Sequence, residues 1–212
     1  MSADFNAMVD GYRRFRARDW SRQRERWTEL AQGQSPKVMI IACSDSRVDP
    51  TVIFDTVPGE LFVVRNVANL VPPLELGGGR HGVSAALEFA VTQIEVSEIV
   101  VLGHGACGGC GAALSQRFKD MRPGEGGFIA DWIDLLSDAR DEVARQHGTD
   151  GPDAVRAMEE AAVKVSIANL RTFPCIRARE AEGKLALHGA WFGIAGGALH
   201  VLDPATGAFN PA

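Results

Sequence analysis

The run Val38-Met39-Ile40-Ile41-Ala42-Cys43 constrains the fold more than any other feature of the chain. Side chains along a strand point alternately to opposite faces, so a strand with one wet face alternates apolar and polar residues. A strand apolar at every position must be covered on both faces, as in a parallel sheet flanked by helices. Glu98-Ile99-Val100-Val101-Leu102-Gly103 repeats the pattern, and Leu61-Phe62-Val63-Val64-Arg65 reads as another strand between the two. Asp49-Pro50 is a helix start, with Asp as N-cap and Pro at the first helical position. Pro72-Pro73 and Gly77-Gly78-Gly79 mark a loop, and a helix is expected from about Gly82 to Gln93. Another helix should begin near Gly108. Residues 127 to 173 are helical in pattern, broken near Gly148 to Pro152, and a short helix starts at Pro174. Leu185-Ala186-Leu187-His188-Gly189 and Ala198-Leu199-His200-Val201-Leu202 read as late strands. The expected fold class is α/β: a mostly parallel central sheet flanked by helices, with one late antiparallel edge strand.

The 212 residues show no internal repeat or linker, and are read as one domain over 1–212, with 1–33 as an N-terminal helical arm. In that arm Phe5, Met8, Val9, Tyr12, Phe15, Trp20, Trp27 and Leu30 recur at amphipathic helical spacing. Its arginines suit a solvated face, and packing of the arm on a partner subunit is the other reading. A hydrophobic share of 46% and a net charge of -5 argue against disorder and against binding to nucleic acid or an anionic membrane. No stretch reaches the roughly 20 apolar residues of a membrane span, and MSADFNAMVDGYRRF lacks the apolar run of a signal peptide. The expectation is a soluble, cytoplasmic protein. Four cysteines in a chain this long are then core residues, metal ligands or nucleophiles rather than a disulfide scaffold.

Chemistry-bearing residues gather where the strands end. Cys43 closes the first strand and opens Cys43-Ser44-Asp45-Ser46-Arg47; Arg65-Asn66 closes the second; His104 closes the third and opens His104-Gly105-Ala106-Cys107. Ligands of open α/β sheets bind outside the carboxyl ends of strands. Two Cys and one His form a nitrogen-and-sulfur set that suits zinc, and three protein ligands leave the fourth position of a catalytic site open. Taken singly, Cys43 reads as a small buried residue, His104 as a hydrogen-bonded loop histidine, and Asp45 with Arg47 as a loop ion pair of little energetic worth. Their coincidence favours chemistry, because a carboxylate beside a guanidinium stays ionised and can orient a water. Gly103 to Gly108 also fits G-x-G-x-x-G, yet a dinucleotide fingerprint needs an acidic strand end about 20 residues on, and Lys119-Asp120-Met121-Arg122-Pro123 is not one. Cys107-Gly108-Gly109-Cys110 has no second C-x-x-C, so Cys110 and Cys175 read as packing residues.

Cys-Ser-Asp-Ser-Arg at 43–47, Gly-His-Gly-Ala-Cys-Gly-Gly at 103–109 and Pro58-Gly59-Glu60-Leu61-Phe62-Val63-Val64-Arg65-Asn66-Val67-Ala68-Asn69 resemble the β-class carbonic anhydrases. Gln34-Ser35-Pro36, Leu87 to Val91 and the Leu185–Gly197 stretch extend the likeness; residues 120–175 match only in outline. The resemblance implies reversible hydration of carbon dioxide to bicarbonate and a proton by a zinc-bound hydroxide. It implies zinc on Cys43, His104 and Cys107, and a catalytic Asp45–Arg47 dyad. It also implies a substrate pocket of Gln34, Phe62, Val67 and Phe89. Such a site lies at a subunit interface, so a homodimer or an assembly of dimers is implied. In one subtype of the family the aspartate ligates the metal and bicarbonate occupies a Val-Arg-Tyr pocket with a nearby Trp. Here Val48 and Arg65 are present, but Phe192 and Ile40 stand at the Tyr and Trp positions, which points to the water-ligated subtype. Hydrolysis of carbonyl sulfide or carbon disulfide on the same zinc is the alternative.

Overall fold

A computed structural model describes residues 2–77 and 79–212, so Gly78 of the expected glycine loop lies outside the described residues. The chain forms two compact units, one up to Ser35 and one from Pro36. In the N-terminal unit, α1 (Ala3–Phe15) is capped by Ser2, whose hydroxyl oxygen accepts from the Phe5 N–H. A π turn over Arg16–Trp20 leads towards α2 (Arg24–Leu30). Phe15 meets Trp27 edge-on at 5.8 Å, and the Arg16 guanidinium lies over the Trp20 ring at 3.5 Å. Neither helix buries a residue fully, and Phe5, Met8 and Tyr12, spaced along one stripe of α1, stay exposed.

The second unit sets out along the chain as β1 (Val38–Cys43), α3 (Pro50–Ile53), β2 (Leu61–Asn66), α4 (Gly82–Phe89), β3 (Glu98–His104), α5 (Gly108–Ser115), α6 (Gly127–Ile133), α7 (Ser137–His147), α8 (Pro152–Leu170), α9 (Pro174–Ala181), β4 (Ala186–Gly193), β5 (Ala198–Leu202) and β6 (Phe209–Pro211). The strands order as β2-β1-β3-β4-β5-β6. The first four are mutually parallel, β5 runs antiparallel to β4, and β6 runs antiparallel to β5. The antiparallel β5 was legible in the sequence; the three-residue β6 beside it was not.

The apolar runs behave as their composition demands. Met39 and Ile41 of β1, with Ile99 and Val101 of β3, pack with Leu87, Val163, Leu170 and Ile176 on one face. Their neighbours Ile40, Ala42 and Leu102 pack with Ala190, Phe54 and Phe192 on the other. Each such fully buried large side chain stabilises the fold by about 1.5–3 kcal/mol. The longest helix, α8, buries Ala154, Met158, Ala162, Val163, Ile167 and Leu170. Gly189 lets it approach β4, since a Cβ there would lie 2.8 Å from Val163 Cγ1. Strand β2 forms the sheet edge and is only half-buried. From β1 the chain steps to β2 on one side and to β3 on the other, so the crevice at the carboxyl end of β1 is a topological switch point. Among the described residues no helix is long and apolar enough to cross a membrane.

Candidate metal centre

The register of the central strands decides where the ligand-type residues emerge. Ala42 of β1 pairs with Leu102 of β3, so Cys43 and His104 leave the sheet one and two residues past that pairing. The chain then turns through Gly105 and Ala106, and Cys107 stands at the N-cap of α5. Ala106 makes the turn at φ 54, a left-handed conformation unusual for a residue with a Cβ. Cys43, His104 and Cys107 are all buried, and their ligand atoms lie within 4.8 Å of one another.

The donor set fits zinc on three counts. The Cys43 and Cys107 sulfurs are 4.0 Å apart, and two sulfurs held at about 2.3 Å from one tetrahedral ion stand about 3.8 Å apart. His104 Nδ1 lies 2.9 Å from the Gly105 carbonyl oxygen; a carbonyl only accepts, so Nδ1 carries the hydrogen and Nε2 offers its lone pair. That Nε2 is buried and has no hydrogen-bond partner, a costly state that a metal would relieve. Without a cation both thiols hold their protons tightly. Cys107 beside it, followed by burial, pushes the Cys43 thiol up to about 12. Cys107 is pushed up to about 12, chiefly by the neighbouring Cys110 thiol. A bound divalent ion, aided by the positive end of α5, would supply the charge needed to hold both as thiolates.

Asp45 and Arg47 form a two-pronged pair beside the cluster. Arg47 Nε donates to Asp45 Oδ1 at 2.9 Å, Nη2 to Oδ2 at 2.6 Å, and the Arg47 backbone N–H to Oδ1 at 3.0 Å. The guanidinium holds the Asp45 carboxyl well below the usual carboxylate range. Arg47 Nη2 also donates to the Ala106 carbonyl at 3.0 Å, tying the dyad to the other ligand loop.

Arg65 carries a role that its strand position did not reveal. Its Nε donates to the Cys43 carbonyl at 2.9 Å, its Nη2 to the Asp45 carbonyl at 2.6 Å, and its Nη1 to Asp49 Oδ2 at 3.1 Å. One side chain thus ties the Cys43, Asp45 and Val48 carbonyls and the Asp49 carboxylate of the 43–49 loop together. Asn66 brackets the next turn through Leu70 N–H and carbonyl, both at 2.8 Å.

The pocket residues named from the sequence fall in different places. Val67 is near the metal cluster's helix: a Cβ on Gly109 would lie 2.8 Å from Val67 Cγ1, and the Val67 carbonyl accepts from Trp132 Nε1 at 2.8 Å. Phe62 pairs with Met39, four residues before Cys43, or about 13 Å along the strand at about 3.3 Å per residue. It stacks on Phe89, ring centroids 6.0 Å apart, and Phe89 is half exposed. Within one chain these two aromatics do not join the metal cluster. Gln34 is exposed on the N-terminal unit.

Glu159 escaped the sequence reading. It sits on α8, 2% exposed, and accepts from the Cys107 N–H at 2.9 Å and from Trp191 Nε1 at 2.9 Å. Burial raises its carboxyl above the ordinary value. No local motif announces it, because a Glu-Glu pair in a helix usually faces water.

The family model for carbonic anhydrase matches residues 38–199. A carbonic anhydrase of Pseudomonas aeruginosa is 37% identical over 203 residues, covering 95% of this chain and 89% of that protein. The solved β-carbonic anhydrase CcaA superposes with a TM-score of 0.91 at 30% identity, over 99% of this chain and 100% of that one. A structure described as one of two tetrameric β-carbonic anhydrases of Sordaria macrospora gives 0.80 at 29% identity, over 95% of this chain and 98% of that one. Ligand-type residues at a switch point, a sheet of this order and likeness over nearly the whole length agree, and the chain belongs to the β-class carbonic anhydrases, lyases that hydrate carbon dioxide reversibly.

Proposed function

We propose that Cys43, His104 and Cys107 hold a zinc ion and that Asp45, held by Arg47, orients the water that attacks carbon dioxide. The observation that carries the reading is the convergence of three buried donors, one of them the unpartnered Nε2 of His104. Bound zinc would supply a Lewis acid that brings the pKa of a water at its open position to about 7, so that the nucleophile is available near neutral pH. Asp45 contributes orientation. Its carboxylate is ionised, and the Oδ2 lone pair left free by Arg47 accepts a hydrogen from the attacking water and turns the oxygen lone pair towards the carbon. Water and carbon dioxide give bicarbonate and one proton, which passes to buffer.

The bidentate Asp45–Arg47 pair supports the water-ligated subtype, because an aspartate so engaged is not turned onto the metal. Ile40 and Phe192, where the other subtype has Trp and Tyr, support it too. Val67 beside α5 suits an apolar pocket wall. Phe89, half exposed, and the partly buried Phe62 stacked on it, four residues from Cys43 along the strand register, are proposed to reach the site of a second copy, as in an interface-built site. The exposed α1 stripe of Phe5, Met8 and Tyr12 supports the same homodimeric assembly, and the tetrameric relative makes an assembly of dimers the natural extension. The assignment of Gln34 as hydrogen-bond donor to the substrate oxygen rests on the resemblance.

The test is stopped-flow carbon dioxide hydration with a pH indicator, on protein whose zinc is measured in the same sample. Fast hydration at about one zinc per chain is expected, abolished by a chelator or by Cys43→Ala, which also removes a ligand. Full zinc without hydration between pH 6 and 9 would refute the reading and direct the assay to carbonyl sulfide and carbon disulfide.

A further inference from the structure

Glu159 is one of only four buried polar or charged residues among those described, and the hydration reaction makes no use of it. Its two oxygens are both engaged. Oε1 accepts from the Cys107 N–H and Oε2 from Trp191 Nε1, each at 2.9 Å. The Cys107 N–H belongs to the same peptide unit as the Ala106 carbonyl. That carbonyl, at the opposite edge of the planar unit, accepts from Arg47 Nη2 at 3.0 Å. One peptide group therefore stands between the buried carboxylate and the guanidinium that holds Asp45. The plane needs holding, because Ala106 is left-handed at φ 54, a conformation that costs a residue with a Cβ free energy and persists only when neighbours impose it. Glu159 itself is held by the long helix α8 and by Trp191, which is buried on β4 with the Arg156 guanidinium 4.1 Å from its ring centroid.

We infer that Glu159 is a positioning residue that locks the Ala106–Cys107 peptide plane, thereby aiming the Cys107 sulfur at the metal and the Ala106 carbonyl at Arg47. This rests on the reading of Cys107 as a zinc ligand. A rotation of that single plane would spoil a ligand and the dyad together. Glutamine at 159 keeps the size but offers one acceptor oxygen and one amino group to two N–H donors, so one donor must face another.

The test uses zinc-loaded full-length protein, with zinc release followed by a chromophoric chelator beside carbon dioxide hydration. Glu159→Gln is expected to release zinc about 10–100-fold faster than wild type, the usual cost of losing a partner of a metal ligand, and to lower kcat with little change in KM. Trp191→Phe, which removes the other donor, should stay within about threefold of wild type in zinc release. The double variant should return to the Trp191→Phe rate, because the glutamine oxygen can then turn to the Cys107 N–H. That rescue is what mere packing would not produce. Release from Glu159→Gln within twofold of wild type, or additive effects in the double variant, would overturn the inference while leaving the zinc reading intact. Wild-type protein unable to bind zinc would overturn both. If Glu159→Gln does not fold, the double variant carries the test: recovery of folding with release at the Trp191→Phe rate supports the inference, and a double variant that also fails to fold, or releases zinc faster than Trp191→Phe, overturns it.

Discussion

Asp45 accepts three hydrogen bonds from Arg47, two on Oδ1 and one on Oδ2, and still keeps a lone pair on Oδ2 for water. Asp45→Asn should keep zinc at about one per chain while hydration falls roughly 100-fold, the cost of losing a held orientation; unchanged turnover would remove Asp45 from the mechanism. Asp49, six residues after Cys43, works differently. Its Oδ1 accepts from the Thr51 N–H at 2.9 Å and from the Thr51 hydroxyl at 2.6 Å, capping α3. The Thr51 hydroxyl first, with its N–H and Arg65, lowers the Asp49 carboxyl below its ordinary value. A lowered folded-state pKa means stability that is present above the unfolded pKa of about 3.9 and lost as pH falls through the folded value. Asp49→Ala should therefore cost about 1 kcal/mol at pH 7, the same at pH 5, and less below pH 4. Urea unfolding of both proteins at each pH checks the sign; a gap that widens with acid would contradict it.

Among elements, α8 does more than cover the sheet. One helix packs Val163 and Ile167 against Gly189 of β4 and presents Glu159 to the ligand loop. A methyl group at Gly189 would stand 2.8 Å from Val163 Cγ1 and 2.9 Å from both Ile167 Cδ1 and Leu202 Cδ2. Val163 and Ile167 belong to the buried core and Leu202 packs against it. Gly189→Ala is expected to destabilise by about 1–3 kcal/mol, the range of overpacked cores. A denaturation midpoint equal to wild type would show that α8 can shift freely. In the same way Gly109 lets the first turn of α5 sit on Val67 and Ala68, so the chain following β2 is fitted to the metal-bearing helix.

For the whole molecule, the half-exposed Phe89 stacks on the partly buried Phe62 of the edge strand β2. A large aromatic left exposed beside an edge strand is an association surface. Phe89→Ser is expected to weaken self-association in sedimentation velocity and to lower hydration while zinc stays at about one per chain. Loss of activity with an unchanged sedimentation coefficient would assign Phe89 to its own chain's site; no change in either would remove it from both.

Much of this protein was legible in one dimension. The apolar runs 38–43 and 99–103 pointed to a parallel sheet covered by helices, because a strand apolar at every position must have both faces hidden. The Asp49 cap, the break at Gly148 to Gly151 and the start at Pro174 followed from backbone preferences of single residues. Cys43, His104 and Cys107 could be proposed together because strand ends gather in an open α/β sheet, and the dyad because its members are two residues apart. Pairing across the sheet decided the rest. Register set Phe62 beside Met39, far from Cys43. Arg65 became the staple of the 43–49 loop only when β2 lay against β1. Glu159, 52 residues beyond Cys107, acquired its partners only when α8 crossed β3 and β4. Spacing along a chain encodes local geometry and covered faces; which distant carboxylate finds which N–H depends on how helices dock, and that is set by the summed packing of the core.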